Sequence, residues 1–407
     1  MITEPRLSIN FCEPISGRRE LLDMEFEYAT ATRIVFGQGK INKIGELVEC
    51  MGQRALIVLG VDEPIAGGLL DLLNDSCIDY LVLSVHSEPT IEFIQNGLQF
   101  ARRENCDFVI SFGGGSAIDT GKAISALITN TGDVLYYLEV IGKSQALIKT
   151  PVPFVAIPTT AGTGSEVTRN AVLGSLEHRV KVSLRSPLIL PRLALIDPEL
   201  TLSLPPAITA FTGLDAITQV IEPFVSTHAN PLTDAICREG LKYAAKSLEI
   251  AYFKGDDIRA REGMSLTSLF GGLALANAKL GAVHGFAGPF GGMYHSPHGA
   301  VCGRLLPFVM GVNVRALRER QPESAALGRY DEVAQILVDS PDAVADDGVR
   351  WVEEICSRLK IPPLSKYGLQ TNDFQDLIGK ARLASSMQGN PIQLNDYEME
   401  AVLEEAI

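Results

Sequence analysis

The sequence predicts two domains: an α/β N-terminal domain, doubly wound in the Rossmann-like manner around a mostly parallel sheet, and an all-α helical C-terminal domain. Three observations predict this fold class. Short apolar runs alternate with helical segments up to about residue 200. Several of those runs end in glycine-rich turns. Beyond Leu204 only helical spacing is found, and 407 residues exceed what one ordinary core accommodates.

The elements of the first domain follow from apolar runs and turn residues. Residues 1–25 are predicted to be a weakly specified arm and 26–204 the α/β domain. Continuous apolar runs are typical of strands buried on both faces of a parallel sheet. The predicted strands lie in TATRIVFGQG, ALIVLG, YLVLSV, DFVISFGGGS and PFVAIPTTAGTGS, and the helices in INKIGELVECMG, GGLLDLLNDS, IEFIQNGLQFARREN and AIDTGKAISALI. We expect RVKVSLRSPLILPRLALIDPEL to be hairpin or strand material that closes the domain.

The second domain, 205–407, is predicted to be helical throughout. Pro205 and Pro206 begin its first helix, since proline is favoured at the first helical position. Apolar residues recur at helical spacing in each further segment. These segments are PPAITAFTGLDAITQVIEPFV, LTDAICREGLKYAAKSLEIAYF, RAREGMSLTSLFGGLALANAKL, RYDEVAQILV, DGVRWVEEICSRLK and EMEAVLEEAI.

Charge and cysteine content exclude several kinds of partner. A net charge of −14 argues against nucleic acid or an anionic membrane, because both need a basic face. Seven cysteines without CxxC spacing are typical of reduced thiols. The N-terminus has no secretory signal pattern, and no apolar run reaches the length of a membrane span. We therefore expect a soluble cytoplasmic protein.

A glycine-rich loop, Gly113, Gly114, Gly115 and Ser116, follows the apolar run FVISF. Its backbone N–H groups and the helix N-terminus behind them would bind a phosphate or pyrophosphate, which a side chain would obstruct. Ser116 would cap the helix or donate to the phosphate. The loop departs from GxGxxG, and by itself it is equally consistent with a tight turn.

A second loop with hydroxyl side chains follows the strand PFVAIP. Loops at the carboxyl ends of neighbouring parallel strands form ligand sites, so we expect the two loops to hold a dinucleotide together. Gly60 stands where an acidic residue would bond the ribose 2′-OH, with Asp62 and Glu63 further on, so NADPH should be tolerated. The further predicted cofactor residues are Asp119, Thr159, Thr160, Gly162, Thr163 and Ser165.

Three of the six histidines lie in GAVHGFAGPFGGMYHSPHG, residues 281–299: His284, His295 and His298. Glycines and prolines predict a turn or loop in this segment, which would bring His284 and His298 to one point. Asp215 and Gln219, four residues apart, share one face of a predicted helix. Taken singly, these are ordinary core or surface residues. Together they predict a divalent-metal site with one carboxylate, two imidazoles and a weak amide oxygen.

The sequence resembles the iron-containing (group III) alcohol dehydrogenase family in six segments that occur in the expected order. These segments are GGGSAIDTGKA, PTTAGTGSEVT, ALIDPELT, GLDAITQVIE, NPLTDA and VHGFAGPFGGMYHSPHG. The resemblance covers the chain from about Phe26. It implies NAD- or NADP-dependent hydride transfer to or from an alcohol, aldehyde or ketone in the cleft between the domains. It also implies Fe²⁺ or Zn²⁺ as a Lewis acid, His284 and His298 as catalytic residues, and a homo-oligomer, often a dimer.

Two departures from the family pattern leave alternatives open. Gln219 replaces a family histidine among the metal ligands, and Gly288 replaces one near the nicotinamide. One alternative is a metal-independent carbonyl reductase, resembling maleylacetate reductase, in which His284 or His298 donates a proton. Remoter ones are a non-catalytic relative and a dehydroquinate synthase-like lyase. The lyase would need basic residues that GLDAITQVIE and VHGFAGPFGGMYHSPHG lack.

Overall fold

The computed structural model describes residues 25–407, apart from positions 176 and 179. Of the predicted arm, 1–25, all but the last residue lies outside the described residues. The strands are β1 (Ile34–Phe36), β2 (Arg54–Leu59), β3 (Asp79–Ser84), β4 (Phe108–Gly113), β5 (Phe154–Pro158), β6 (Asn170–Ser175), β7 (Val180–Arg185) and β8 (Leu193–Ile196). The helices among them are α1 (Ile44–Val48), α2 (Glu63–Asp75), α3 (Ile91–Arg103) and α4 (Gly115–Thr129).

A six-stranded parallel sheet, in the order β1-β8-β5-β4-β2-β3, forms the centre of the N-terminal half. Its inner strands are apolar on both faces, which lets helices cover each side. The predicted doubly wound α/β class is confirmed. Gly113 at the end of β4 is in register with Pro158 at the end of β5, so the two glycine-containing loops leave neighbouring strands at one edge.

The segment RVKVSLRSPLILPRLALIDPEL forms hairpin and strand structure as expected, but its two strands belong to different sheets. Its first part, β7, pairs antiparallel with β6 in a separate two-stranded sheet, and β6 had no strand prediction. Its last part, β8, lies inside the parallel sheet between β1 and β5. All four residues of β8 are buried, whereas buried and partly exposed residues alternate in β6. These burial patterns are those of an inner strand and of a half-covered strand respectively.

The C-terminal half is helical in the described structure. Its helices are α5 (Pro206–Val225), α6 (Pro231–Phe253), α7 (Ile258–Ala278), α8 (Ala282–Met293), α9 (His298–Arg320), α10 (Ala325–Val338), α11 (Ala345–Arg358), α12 (Phe374–Leu383) and α13 (Asp396–Ala406). Helix α5 begins at Pro206 and is buried along most of its length. It packs against α6, α7 and α9, so the residues it presents to them lie in the protein interior.

A turn or loop was predicted between His284 and His298, but most of this segment belongs to helix α8. Pro289 and the PFGG glycines lie within α8, and only residues 294–297 separate it from α9. Proline inside a helix normally costs about 3 kcal/mol. Here the side chains of Phe286 and Phe290 are fully buried in the core, and losing one such side chain costs roughly 3–5 kcal/mol. Tertiary burial therefore maintains the helix through Pro289.

Helix α9 (His298–Arg320) is long and apolar enough to cross a membrane by composition alone. The most apolar 18-residue stretch of α9 is 78% buried inside the protein, as is common for a core helix. Together α7 and α8 also reach the required length, but they meet at an angle of 97°. These features reflect the buried centre of the helical half.

Candidate active site

Four side chains of types that can bind a metal ion converge where α5, α8 and α9 meet. The Oδ1 atom of Asp215 lies 3.2 Å from Nε2 of His284 and 3.9 Å from Nε2 of His298. The Sγ atom of Cys302 lies 3.8 Å from the first imidazole nitrogen and 3.5 Å from the second. One ligand atom from each residue lies within 4.8 Å of all the others. The structure thus brings together three predicted ligands and one thiol that was not predicted.

Two glycines on α9 bring these ligands close to α5. A Cβ on Gly299 would lie 2.1 Å from the carbonyl oxygen of Phe211, and one on Gly303 would lie 2.7 Å from the Leu214 side chain. Any larger residue would therefore push α9 away from α5. The close approach places His298 and Cys302, one helical turn apart on α9, beside Asp215.

A second buried carboxylate holds His284 from the opposite side. Oε2 of Glu222 lies 2.6 Å from Nδ1 of His284, and Oε1 of Glu222 accepts a 2.7 Å hydrogen bond from the backbone N–H of Val283. Sequence reasoning missed Glu222. Its spacing of seven residues from Asp215, two turns along the same helix face, is the signal that would have found it.

The pKa values of these groups depart from their ordinary range. Burial opposes charge on His284, but Cys302, Glu222 and Asp215 together raise the pKa of this imidazole well above its usual range. Burial lowers the pKa of His298, which keeps the ring neutral and available as a ligand. Burial also raises the pKa of Cys302 to about 12, so this thiol keeps its proton until a cation is bound. Burial opposes the charge of Asp215, yet the hydrogen bond from His284 lowers its pKa overall.

Gln219, the predicted fourth ligand, is hydrogen-bonded to the loop that follows β5. Its Nε2 donates a 3.1 Å hydrogen bond to the carbonyl oxygen of Gly162. Its buried Oε1 has no hydrogen-bond partner among the described residues. The donor set of carboxylate, imidazoles and thiol fits a divalent cation such as zinc, and the orphaned amide oxygen is a further, weaker donor. The residues present therefore suit a metal.

The loop between β4 and α4 has the features of an anion site. Gly114 is the N-cap of α4 and no side chain caps the helix, so the predicted capping role of Ser116, in the first turn, is wrong. Uncapped N–H groups at a helix start bind phosphate. Gly113 has φ +158°, and a Cβ there would lie 2.8 Å from Cα of Gly60. Gly60 therefore lies directly against the loop.

The second loop, residues 159–165, lies across from the first. Thr160 and Thr163 face Gly114 and Gly115 respectively, with Thr163 Oγ1 3.1 Å from where a Cβ on Gly115 would lie. The backbone N–H of Thr159 donates to the carbonyl oxygen of Gly113. The carbonyl oxygen of Gly162 in this loop also accepts the hydrogen bond from Gln219, which lies on α5, the helix that carries Asp215. The predicted cofactor loops and the ligand cluster are thus physically connected.

Asp119 and Ser165, predicted to bind the cofactor, bond to each other. Ser165 Oγ donates to Oδ1 of Asp119 at 3.2 Å, and the backbone N–H of Val172 donates to Oδ2. Burial raises the pKa of Asp119, while the buried ammonium of Lys122, 3.8 Å away, opposes that rise. In this structure Asp119 joins α4 to the second loop.

Two further features lie on or beside α8: free space next to Gly288 and the ammonium group of Lys181. Gly288 lies one helical turn beyond His284, and in the described part of the chain a Cβ built there would have no neighbour within 4 Å other than adjacent residues and the backbone of its own helix, so there is room on this face of α8. His295 is exposed in the loop after α8 and lies outside the ligand cluster. The Nζ atom of Lys181, on β7, lies 2.6 Å from where a Cβ on Gly291 would be, and pairs with Glu88 at 2.6 Å. The segments GLDAITQVIE and VHGFAGPFGGMYHSPHG themselves contain no Lys or Arg, as the sequence shows, and Lys181 is a basic residue that β7 brings beside α8.

Comparisons with known proteins cover almost the whole described chain. A family model described as iron-containing alcohol dehydrogenase matches residues 31–198, and one described as Fe-containing alcohol dehydrogenase family, C-terminal, matches residues 209–407. The chain is 34% identical to alcohol dehydrogenase 4 of Schizosaccharomyces pombe, over 92% of this chain and 87% of that protein. It is 32% identical to 1,3-propanediol dehydrogenase of Klebsiella pneumoniae, over 94% of this chain and 98% of that protein. A solved 1,3-propanediol oxidoreductase matches with TM-score 0.87 and 31% identity, over 94% of this chain and 100% of that one.

Proposed function

Because the chain belongs to the iron-containing alcohol dehydrogenase family, we propose that Asp215, His284 and His298 bind the divalent cation that assists its reaction. The family predicted from the motifs is confirmed. The protein is an NAD(P)-dependent oxidoreductase that interconverts small alcohols and their carbonyl products. The observation that carries the metal proposal is the cluster of ligand atoms within 4.8 Å of one another.

The chemistry at this cluster follows from its charges. A cation bound there supplies Lewis acidity that polarises the hydroxyl or carbonyl oxygen of the substrate. Asp215 contributes a buried negative charge, and the neutral imidazole of His298 contributes a lone pair. Glu222 accepts a hydrogen bond from Nδ1–H of His284, so Nε2 is the nitrogen of that ring that would bind the cation, which would take the place of the proton that Nε2 donates to Asp215. The chain thus presents one carboxylate and two imidazoles to the same point.

The cofactor is proposed to lie along the two loops at the edge of the sheet. The pyrophosphate fits the uncapped N-terminus of α4 at Gly114 and Gly115. Thr160 and Thr163 would contact it from the facing loop. The contact between Gln219 and Gly162 joins this loop to the metal-site helix, which supports hydride transfer in the space between them.

Three further predictions stay proposals. The division into 26–204 and 205–407 is supported by the start of α5 at Pro206. A homo-oligomer and a cytoplasmic location remain predictions from the sequence.

Metal analysis together with a cofactor-oxidation screen tests the proposal. The purified protein is assayed with NADH and NADPH over aldehydes and keto acids, before and after exhaustive chelation. We expect turnover that chelation removes and that added Zn²⁺ or Fe²⁺ restores. His284→Ala should lose both metal and activity. Full activity after complete metal removal would instead support proton donation by His284 or His298, as in the metal-independent alternative.

A further inference from the structure

We propose that Cys302 is a metal ligand of this chain, so that the cation is held by Asp215, His284, His298 and a thiolate. This inference rests on the proposed metal site and changes its fourth ligand from the predicted Gln219 to Cys302. The motifs gave no indication of it. On binding, the S–H proton leaves for solvent and the sulfur donates its electron pair to the cation.

The distances around Cys302 support this role. Zinc bonds of about 2.3 Å to sulfur and about 2.0 Å to nitrogen, at a tetrahedral angle, separate the two ligand atoms by about 3.5 Å. The Sγ atom lies 3.5 Å from Nε2 of His298 and 3.8 Å from Nε2 of His284. The thiol is therefore already placed as a ligand of the same ion, without rearrangement of α9.

Burial and packing restrict the thiol to this position. Cys302 is fully buried and lies on α9 one turn beyond His298. The adjacent glycines, Gly299 and Gly303, allow α9 to lie close to α5, which brings the thiol beside the carboxylate of Asp215. In the described structure the thiol contacts both imidazole rings and also bonds to the carboxylate of Asp215. A cation bound between these groups would be shared by all of them and would compensate the charge of a buried thiolate.

Gln219 is less suited to the fourth position. Its amide nitrogen is engaged with the carbonyl oxygen of Gly162, which limits how the side chain can turn. A neutral amide oxygen also donates more weakly than a thiolate to zinc. A thiolate favours Zn²⁺ over harder ions such as Mn²⁺. The inference therefore also assigns a metal preference to the site.

Metal binding to the full-length protein, without cofactor or substrate, tests the inference independently of turnover. Zn²⁺ and Mn²⁺ affinities are measured for wild type, Cys302→Ser, Gln219→Ala and a matched control, Cys356→Ser. Cys356 is also a buried thiol, and it bonds to the carbonyl oxygen of Gly303, next to Cys302. Changes to outer groups cost about 10 to 100-fold in affinity, so losing a direct ligand should cost Zn²⁺ at least about 10-fold. We expect Mn²⁺ to lose less, and the other two variants to change little.

The Co²⁺-substituted protein provides a spectroscopic test. Wild type and Cys356→Ser should show near-ultraviolet absorption from thiolate-to-cobalt charge transfer, and Cys302→Ser should not. Gln219→His added to Cys302→Ser should restore Zn²⁺ affinity, since it supplies a new imidazole. A wild-type complex without thiolate absorption, or a larger Zn²⁺ loss in Gln219→Ala than in Cys302→Ser, would overturn the proposal. The wild-type spectrum decides even if Cys302→Ser does not fold. Absence of metal binding in every protein would instead refute the metal site itself.

Discussion

Oε2 of Glu222 lies 2.6 Å from Nδ1 of His284, and both side chains are buried. The carboxylate accepts a hydrogen bond from Nδ1–H, so Nε2 is the ring nitrogen that faces Asp215 and Cys302 and would bind the cation once its own proton has left. Carboxylates in this position orient metal-binding histidines and raise their basicity. Glu222 is therefore a positioning residue for the proposed metal site.

Glu222→Gln should weaken metal binding while preserving the shape of the side chain. The amide oxygen can still accept from Val283, but the negative charge that stabilises Nδ1–H is lost. We expect Zn²⁺ affinity to fall about 10 to 100-fold, the range for such outer partners. Competition with a chromogenic chelator measures it. Unchanged affinity would mean that the contact serves packing alone.

Gly115→Val should abolish dinucleotide binding without unfolding the protein. A Cβ at this position would lie 3.1 Å from Oγ1 of Thr163, so a branched side chain would fill the space between the two loops. Calorimetric titration with NADH and NADPH measures the loss. Gly328→Val is the matched control, because nothing lies within 4 Å of a Cβ there. If the Gly115 variant bound both cofactors normally, the pyrophosphate would have to lie elsewhere.

Gly60→Asp should lower the affinity for NADPH relative to the affinity for NADH. Gly60 follows β2 and lies beside Gly113, where an acidic side chain would bond the ribose 2′-OH and repel a 2′-phosphate. The added Cβ approaches Ala117 to 2.8 Å, and this strain should affect both cofactors equally. The ratio of NADPH to NADH affinity is therefore the measurement, and we expect it to fall by roughly tenfold or more. Wild type should accept NADPH. If wild type already selects NADH, and Asp62→Asn removes that selectivity, Asp62 has the discriminating role instead.

Glu166 predicts a dependence of stability on pH. Burial raises its pKa from 4.5 to about 7, with the Lys122 ammonium opposing the rise. The folded state thus keeps a proton that the unfolded state releases, so this contribution to stability is complete below pH 4.5 and is lost as pH rises through about 7. Relative to Glu166→Gln, the wild type should lose on the order of 3 kcal/mol over that window. Urea denaturation at pH 5 and pH 8 measures it, and a pH-independent difference would contradict this account.

The fold class and the residue types of the two proposed ligand sites follow from the amino-acid sequence alone. Apolar runs such as Ala55–Leu59 and the helical spacing after Leu204 are local patterns, and each states which faces must be buried. Parallel strands end at the same edge of a sheet, so the loops after β4 and β5 were expected to lie together, and the observed register of Gly113 with Pro158 agrees with this. The residue types of Asp215, His284 and His298 likewise indicated that these side chains could be metal ligands.

The further groups that lie beside these residues could be identified only from the way the helices pack. Helix α8 continues through Pro289 because Phe286 and Phe290 are buried, and local rules for proline do not include that gain. Cys302 reaches the cluster because glycines on α9 let it approach α5, a distance that depends on both helices at once. Glu222 bonds to a residue 62 positions away. Such contacts depend on how separate elements pack, and neither periodicity nor turn chemistry within one segment contains that information.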